Sequence, residues 1–429
     1  MRERLRTLFV PAMLVIALGI RLVVISAVFQ TTDGYAGDSA YYMTIARNLH
    51  RLGLSPSNPA VAALSSGPLY PIFLAPFLNG LPDPLTQIMA ARVAQAVLDV
   101  MTVALLCAIA KRMFGEQTAY LALVIQALDP RYILQTALIA TETLFIMLFA
   151  AFVWLYLAAV DKRSLPRYFA AGLLLGLATL TRPIPLLYPL VLAVHAWAIR
   201  RAQPRAWAGF GLLALGMALL VVPWMARNIY VTGGEFVPVA DTAATHLWMS
   251  SREEGGALGG GDFEQARAED MGENYPYESS DYTGGALRNI LAHPLVWLGR
   301  IGKATLAALL QPYGTVILSE MGGPSFLSVV QDVLHGEAPL SAVWQVSGFW
   351  RKLVIYVFHY VALAGGVVGI VASARQWRQT LPLVGWIVYG IAVVAPLLIE
   401  PRYVFPVMPY LMLFAASAIT RERPRPAEA

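Results

Sequence analysis

The stretch TETLFIMLFAAFVWLYLAAVDKR (141–163) decides the fold. After Glu142, nine of the next ten residues are apolar, and the run continues to Val160 before meeting Asp161, Lys162 and Arg163. Such a run matches the ~20 residues that an α-helix needs to cross the hydrocarbon of a bilayer. A basic cluster at one end marks a cytoplasmic loop, because Lys and Arg are held on that side. A carboxylate at the other end, next to hydrocarbon, is costly and is usually functional or paired. One such run fits a buried soluble helix. A series of them does not.

The series is present. Of 429 residues, 58% are hydrophobic and 13% charged, against roughly 25% charged in an average soluble domain. Mean hydropathy is +0.60. Candidate spans cover roughly 8–29, 87–110, 117–135, 141–160, 168–181, 183–199, 206–226, 352–372, 381–399 and 402–420. With ten spans, the clusters Arg2/Arg4/Arg6, Lys111/Arg112, Lys162/Arg163/Arg167, Arg200/Arg201/Arg205, Arg375/Arg378 and Arg421/Arg423/Arg425 all fall on one side. That side is cytoplasmic by the positive-inside rule. The same parity makes interfacial helices of 68–82, which holds four prolines, and of 294–311, which carries Arg300 and Lys303. The expected fold is an all-α polytopic membrane bundle of about ten transmembrane helices, or 11–13 if doubtful segments also cross. Interfacial helices lie in its outer loops.

Three regions follow: an N-terminal transmembrane module (1–226) with a first outer loop at 30–86, an outer region (227–350), and C-terminal helices with a cytoplasmic tail (351–429). The pI of about 9.2 is explained by membrane loops, without nucleic acid. Residues 227–294 hold eleven acids against four arginines, which an outer loop tolerates. The run GGALGGG (255–261) reads as a flexible linker. No GxxxxGK[ST] occurs, against an ATP-driven pump, and no HExxH or similar metal spacing is present. The single cysteine, Cys107, allows no intramolecular disulfide.

Two acids and several arginines remain as chemistry. GDSAYYMTIARNLHRLG (37–53) reads as a short helix in the first outer loop, with Asp38 or Ser39 as N-cap and Gly53 as the stop. Asp38 is either that cap or an oriented base. Glu142 is a functional acid or a helix-end residue that Thr141 caps. Arg92, Arg131, Arg182, Arg227 and Arg402 recur at the outer face, although Asp129 and Glu400 stand ready to neutralise Arg131 and Arg402. Guanidinium groups match phosphate oxygens in a bidentate way. Glycosyl transfer from a polyprenyl phosphate needs positive charge at the leaving phosphate and one general base for the acceptor hydroxyl. This inventory suffices for that reaction, whereas a glycosidase needs an acid as well as a base or nucleophile.

The ordered segments GDSAYY, GPLYPIFLAPF, ALIATETLF (137–145), LTRPIPLLYP (180–189), PWMARNIYVTGGEFVPV (223–239) and EPRYVFPVMPYL (400–411) resemble the GT-C membrane glycosyltransferases. The likeness is to the bacterial family 39 proteins related to protein O-mannosyltransferases and to the lipid A aminoarabinose transferase. The resemblance implies that Asp38 is catalytic and that Glu142 holds the second acidic position. It implies an inverting hexosyl or pentosyl transfer from a polyprenyl-phosphate sugar to a hydroxyl on lipid, glycan or protein. The expected place is the extracytoplasmic side of the cell membrane. Tyr41, Tyr70 and Tyr403, within the matching segments, join the five arginines as expected substrate-binding residues. A divalent metal is compatible but not required. Asp38 is followed by Ser39 rather than by the glutamate of the eukaryotic Asp-Glu pair. The competing readings are a transporter or flippase for a phosphate-bearing lipid, which needs no base, and a ligase or polymerase of lipid-linked oligosaccharides.

Overall fold

The computed structural model describes residues 2–32, 38–53, 66–240, 242–252, 267, 269–271, 279–313, 326–339, 341–342, 349–397 and 399–424. Among them there is no strand. The GGALGGG run lies outside the described residues.

Among the described residues, six helices are long and apolar enough to cross a membrane. They are α1 (Arg2–Val28), α4 (Pro84–Met113), α7 (Glu142–Asp161), α10 (Ala206–Val231), α15 (Phe349–Ala372) and the stretch Pro401–Thr420, which combines α17 (Pro401–Val404), a 3-10 turn and α18 (Met408–Thr420). Between them lie α2 (Ser39–Leu52), α3 (Leu69–Gly80), α5 (Glu116–Leu128), α6 (Pro130–Gln135), α8 (Leu165–Thr181), α9 (Pro189–Ile199) and α16 (Trp377–Val394). The stretch 242–334 contributes α11 (Thr242–Ser251), α12 (Ser279–Ala292), α13 (Pro294–Leu310) and α14 (Phe326–Leu334).

Two expected spans are interrupted. The stretch 117–135 breaks at Asp129, where the carboxylate accepts from the Arg131 amide at 3.0 Å and Pro130 opens a new helix. Proline disfavours helical geometry in the residue before it, and an aspartate there caps the new start. The stretch 183–199 begins instead as a 3-10 turn over Ile184–Leu187 before α9. Of the two proline- or charge-bearing segments, 68–82 forms α3, and its Asn79 side chain donates to the Ala46 carbonyl of α2 at 3.0 Å. The other forms α13, with Leu295 80% exposed, and its end is tied to α15. His359 Nε2 lies 2.7 Å from the Leu309 carbonyl, and the Tyr360 hydroxyl donates to Leu310 at 2.9 Å.

The bundle is built around α7. Its span is 83% buried, against 17% for the outermost α1. Phe149 on α7 stacks on Trp386 of α16, with centroids 3.8 Å apart, and Tyr188 and Tyr410 close the cluster. Lipid tails are as apolar as these side chains, so close packing rather than hydrophobicity joins membrane helices. Glycines supply it. A Cβ on Gly172 of α8 would lie 2.0 Å from the Leu213 carbonyl of α10, whereas one on Gly211 would meet nothing within 4 Å. Gly172→Ala is therefore expected to destabilise by about 1–3 kcal/mol, the usual cost of overpacking. Gly211→Ala should leave the thermal midpoint in detergent unchanged. Equal midpoints for the two variants would show that α8 and α10 do not meet through Gly172.

Buried ion pairs fix the register. Arg21 of α1 meets Asp99 of α4 at 2.5 Å and donates to the Ala127 carbonyl of α5 at 3.0 Å. These groups hold three helices together inside the bundle.

Candidate active site

Asp38 precedes α2, but its side chain makes no capping hydrogen bond. Residue 38 holds the expected N-cap position, but it takes helical dihedrals, φ −84° and ψ −3°, instead of the extended geometry that lets a carboxylate fold back on the first amides. The carboxylate faces Arg402, with Nη1 2.8 Å from Oδ2. Gly53 does end the helix, at φ +59°. Ser39 anchors the same turn by donating to the Ile139 carbonyl at 3.0 Å, which brings the first loop against the loop before α7.

Glu142 opens α7 with its side chain 0% exposed. Thr141 precedes it without capping, and its hydroxyl oxygen accepts instead from Arg182 Nη1 at 3.4 Å. Two guanidinium groups share Glu142 Oε1: Arg182, through a very short ion pair, and Arg402, with Nε at 3.2 Å. Glu142 Oε2 is buried with no hydrogen-bond partner among the described residues. Arg182 ends α8 in extended geometry, which turns its side chain off the helix axis toward α7. Arg402 therefore pairs with Asp38 and Glu142 and not, as its neighbourhood in sequence indicated, with Glu400. Asp129 does take Arg131 as expected, with Nη2 2.6 Å from Oδ2.

The result is a linear array, Asp38–Arg402–Glu142–Arg182. Exposure falls from 47% for the Asp38 side chain to 18% for Arg402 and 0% for Glu142, with Arg182 beyond it at 7%. One carboxylate is open to an incoming molecule, and the other is sequestered to hold two cations. Tyr403 lies between the arginines, with the Arg182 and Arg402 guanidinium carbons 5.4 and 5.9 Å from its ring centroid.

The other expected residues are engaged elsewhere. Tyr70 is buried, donates to Gln95 at 2.7 Å and packs edge-on against Tyr42. Arg92 is fully buried and donates to the carbonyls of Ala137, Phe29 and Thr31. Arg131 is buried against Asp129 and lies 3.1 Å from His359 Nδ1. Arg227 lies over the Trp224 ring and donates to Asn228 at 3.1 Å. Tyr41 is half-buried and edge-on to Tyr42.

Three residues near the array were not singled out in the sequence. The Tyr42 hydroxyl reaches Asp38 Oδ2 at 3.4 Å. Burial first, and then the negative charges of Asp38 and Glu142, push its phenol far above the ordinary range, so it stays a neutral donor. Spacing could have found it, because positions 38 and 42 share a helix face. His246 of α11 lies edge-on to Tyr403, 6.2 Å between centroids, and burial lowers its pKa. Tyr313 follows α13 and meets Phe405 at 5.1 Å. No local pattern marks these last two. Among the described residues, no three His, Cys, Asp or Glu side chains converge as a metal-binding group would require.

Residues 73–226 match the family model described as dolichyl-phosphate-mannose-protein mannosyltransferase. The matched part holds Glu142 and Arg182 but neither Asp38 nor Arg402. No curated protein matches the sequence. Among solved structures, the chain is similar to the archaeal oligosaccharyltransferase AglB from Archaeoglobus fulgidus in complex with an inhibitory peptide and a dolichol-phosphate. Identity is 13% over 97% of this chain and 50% of that one, with a TM-score of 0.55. The same Archaeoglobus enzyme in complex with Zn and sulfate gives 13% identity, 95% and 49% coverage, and a TM-score of 0.55. The chain thus spans about half the length of these structures. ArnT from Cupriavidus metallidurans bound to undecaprenyl phosphate superposes less closely, with a TM-score of 0.39 at 16% identity over 96% of this chain and 77% of that one. The resemblance to GT-C membrane glycosyltransferases noted in the sequence therefore holds in both family model and fold.

Proposed function

We propose that this chain, a multi-pass membrane protein on the GT-C glycosyltransferase fold, transfers a monosaccharide from a polyprenyl-phosphate donor to a hydroxyl acceptor. The reaction takes place on the non-cytoplasmic face of the cell membrane. The observation that carries the reading is the half-exposed Asp38 carboxylate, ion-paired to an arginine whose other side is fixed by buried Glu142. The family model's description and the dolichol-phosphate held by the archaeal neighbour support a lipid-phosphate donor.

In the reaction, Asp38 takes the acceptor hydroxyl proton as that oxygen bonds to the anomeric carbon. The carbon–oxygen bond to the phosphate breaks on the opposite face, so the sugar inverts. The phosphate leaves with the electron pair and meets Arg402 and Arg182. Glu142 is the positioning residue that aims both guanidinium groups. Arg402 bonds Asp38 in the resting geometry, so the donor phosphate competes with Asp38 for it, and donor arrival frees the base. Tyr403 flanks the phosphate subsite, Tyr70 supports Tyr42 behind the base, and Arg92 and Arg131 hold the frame of the outer loops.

In proteoliposomes, the purified chain should convert a polyprenyl-phosphate monosaccharide to polyprenyl phosphate when acceptor is supplied. Movement of the intact donor between leaflets without cleavage would make the protein a flippase instead. Arg402→Lys keeps the charge but cannot span Asp38 and Glu142 as the Nη1 and Nε fork does. It is expected to raise the KM for donor about tenfold or more, the scale of one lost charged hydrogen bond. An unchanged KM would remove Arg402 from the phosphate subsite.

A further inference from the structure

A cavity of about 680 Å³ lies at the other end of the bundle from the Asp38 array. Glu142 opens α7 and Asp161 closes it. That separation is about 30 Å for a helix of this length. Arg112, Lys162, Arg201 and Arg378 line the cavity. They come from the end of α4, the turn after α7, the loop after α9 and the start of α16. Asp161 is the one acidic lining residue, and Arg112 already pairs with it. The buried Nε of Arg112 has no hydrogen-bond partner among the described residues. Leu157, Val160 and Ile199 form an apolar wall.

Basic residues in cytoplasmic loops are ordinary when each stands in water. Here four chain segments bring their cations to the rim of one partly enclosed volume, with Arg112 half-buried and Lys162, Arg201 and Arg378 exposed. A bound anion relieves their mutual repulsion. Basic pockets between membrane helices take acidic lipid headgroups, with the acyl chains along the apolar wall. We propose that this cavity binds a phosphate group, carried by an anionic phospholipid or free in solution. The site is distinct from the Asp38 array and does not rest on the donor reading.

Native mass spectrometry of the full chain in detergent tests this, using phosphatidylglycerol and phosphatidylcholine with the same acyl chains. The wild type should retain phosphatidylglycerol about tenfold better, because several cations face one acidic headgroup. The Lys162→Gln/Arg201→Gln/Arg378→Gln variant should lose that preference. Ala202→Trp fills the cavity with its charges intact and should lose it too, which keeps the test valid if the triple variant does not fold. Displacement of phosphatidylglycerol by millimolar inorganic phosphate assigns the site to the phosphate alone. Failure to displace assigns it to the lipid headgroup. Equal retention of both lipids by the wild type, or a preference surviving Ala202→Trp, overturns the proposal.

Discussion

Asp38→Asn is expected to lower turnover by at least about 100-fold in the reconstituted assay while the protein stays folded, because general-base catalysis contributes 10²–10⁴-fold. Asparagine matches the shape of aspartate but cannot take the acceptor proton. Donor binding should persist, since Arg402 and Arg182 remain and Arg402 is released from its ion pair with residue 38. Asp38 makes no cap hydrogen bond, so Asp38→Ala should be no less stable than Asp38→Asn. A capping aspartate would instead separate the two by about 1 kcal/mol. Both variants lose a half-exposed ion pair, typically worth about 0–1 kcal/mol, and disturb the long Tyr42 contact at 3.4 Å. Turnover of Asp38→Asn near the wild-type rate would sink the mechanism.

The second large effect concerns Arg182. Glu142 is fully buried, and its closest cation is Arg182. Removing one partner of a buried pair leaves an uncompensated charge, at a cost of about 3–5 kcal/mol. Arg182→Ala should fall at the lower end, because Arg402 Nε still reaches Glu142 at 3.2 Å. Adding Glu142→Gln removes the stranded charge and should restore much of the stability, since loss of both members of a buried pair is often nearly neutral. Thermal unfolding of the single and double variants measures the coupling as a cycle. Activity should stay low in the double variant even where stability returns, because the guanidinium facing the phosphate is gone. A thermal midpoint for Arg182→Ala equal to that of the wild type would show that Glu142 does not depend on this arginine. Recovery of activity together with stability would leave the pair with a purely structural role.

Much was determined by the sequence alone. Apolar runs and the basic clusters beside them specify a helical membrane bundle, because hydrocarbon accepts only backbones that satisfy their own hydrogen bonds. Composition and local spacing carry that constraint in full. Local chemistry also marked Glu142, since a carboxylate beside hydrocarbon is conspicuous wherever it occurs, whereas Asp38 stood out by its place at a helix start and by the family resemblance. Pairing could not be read there. Five arginines recur at one level in the sequence; tertiary packing sends Arg92 to backbone carbonyls and Arg131 to Asp129, and brings Arg182 and Arg402 to Glu142. Residues 38, 142, 182 and 402 stand far apart in the chain, and an ion pair depends on distance in space, which no local pattern encodes. Glu400, two positions from Arg402, is the partner that proximity in sequence names. The fold chose Asp38 and Glu142 because α17 begins at Pro401 and its first turn directs Arg402 inward, toward the start of α7.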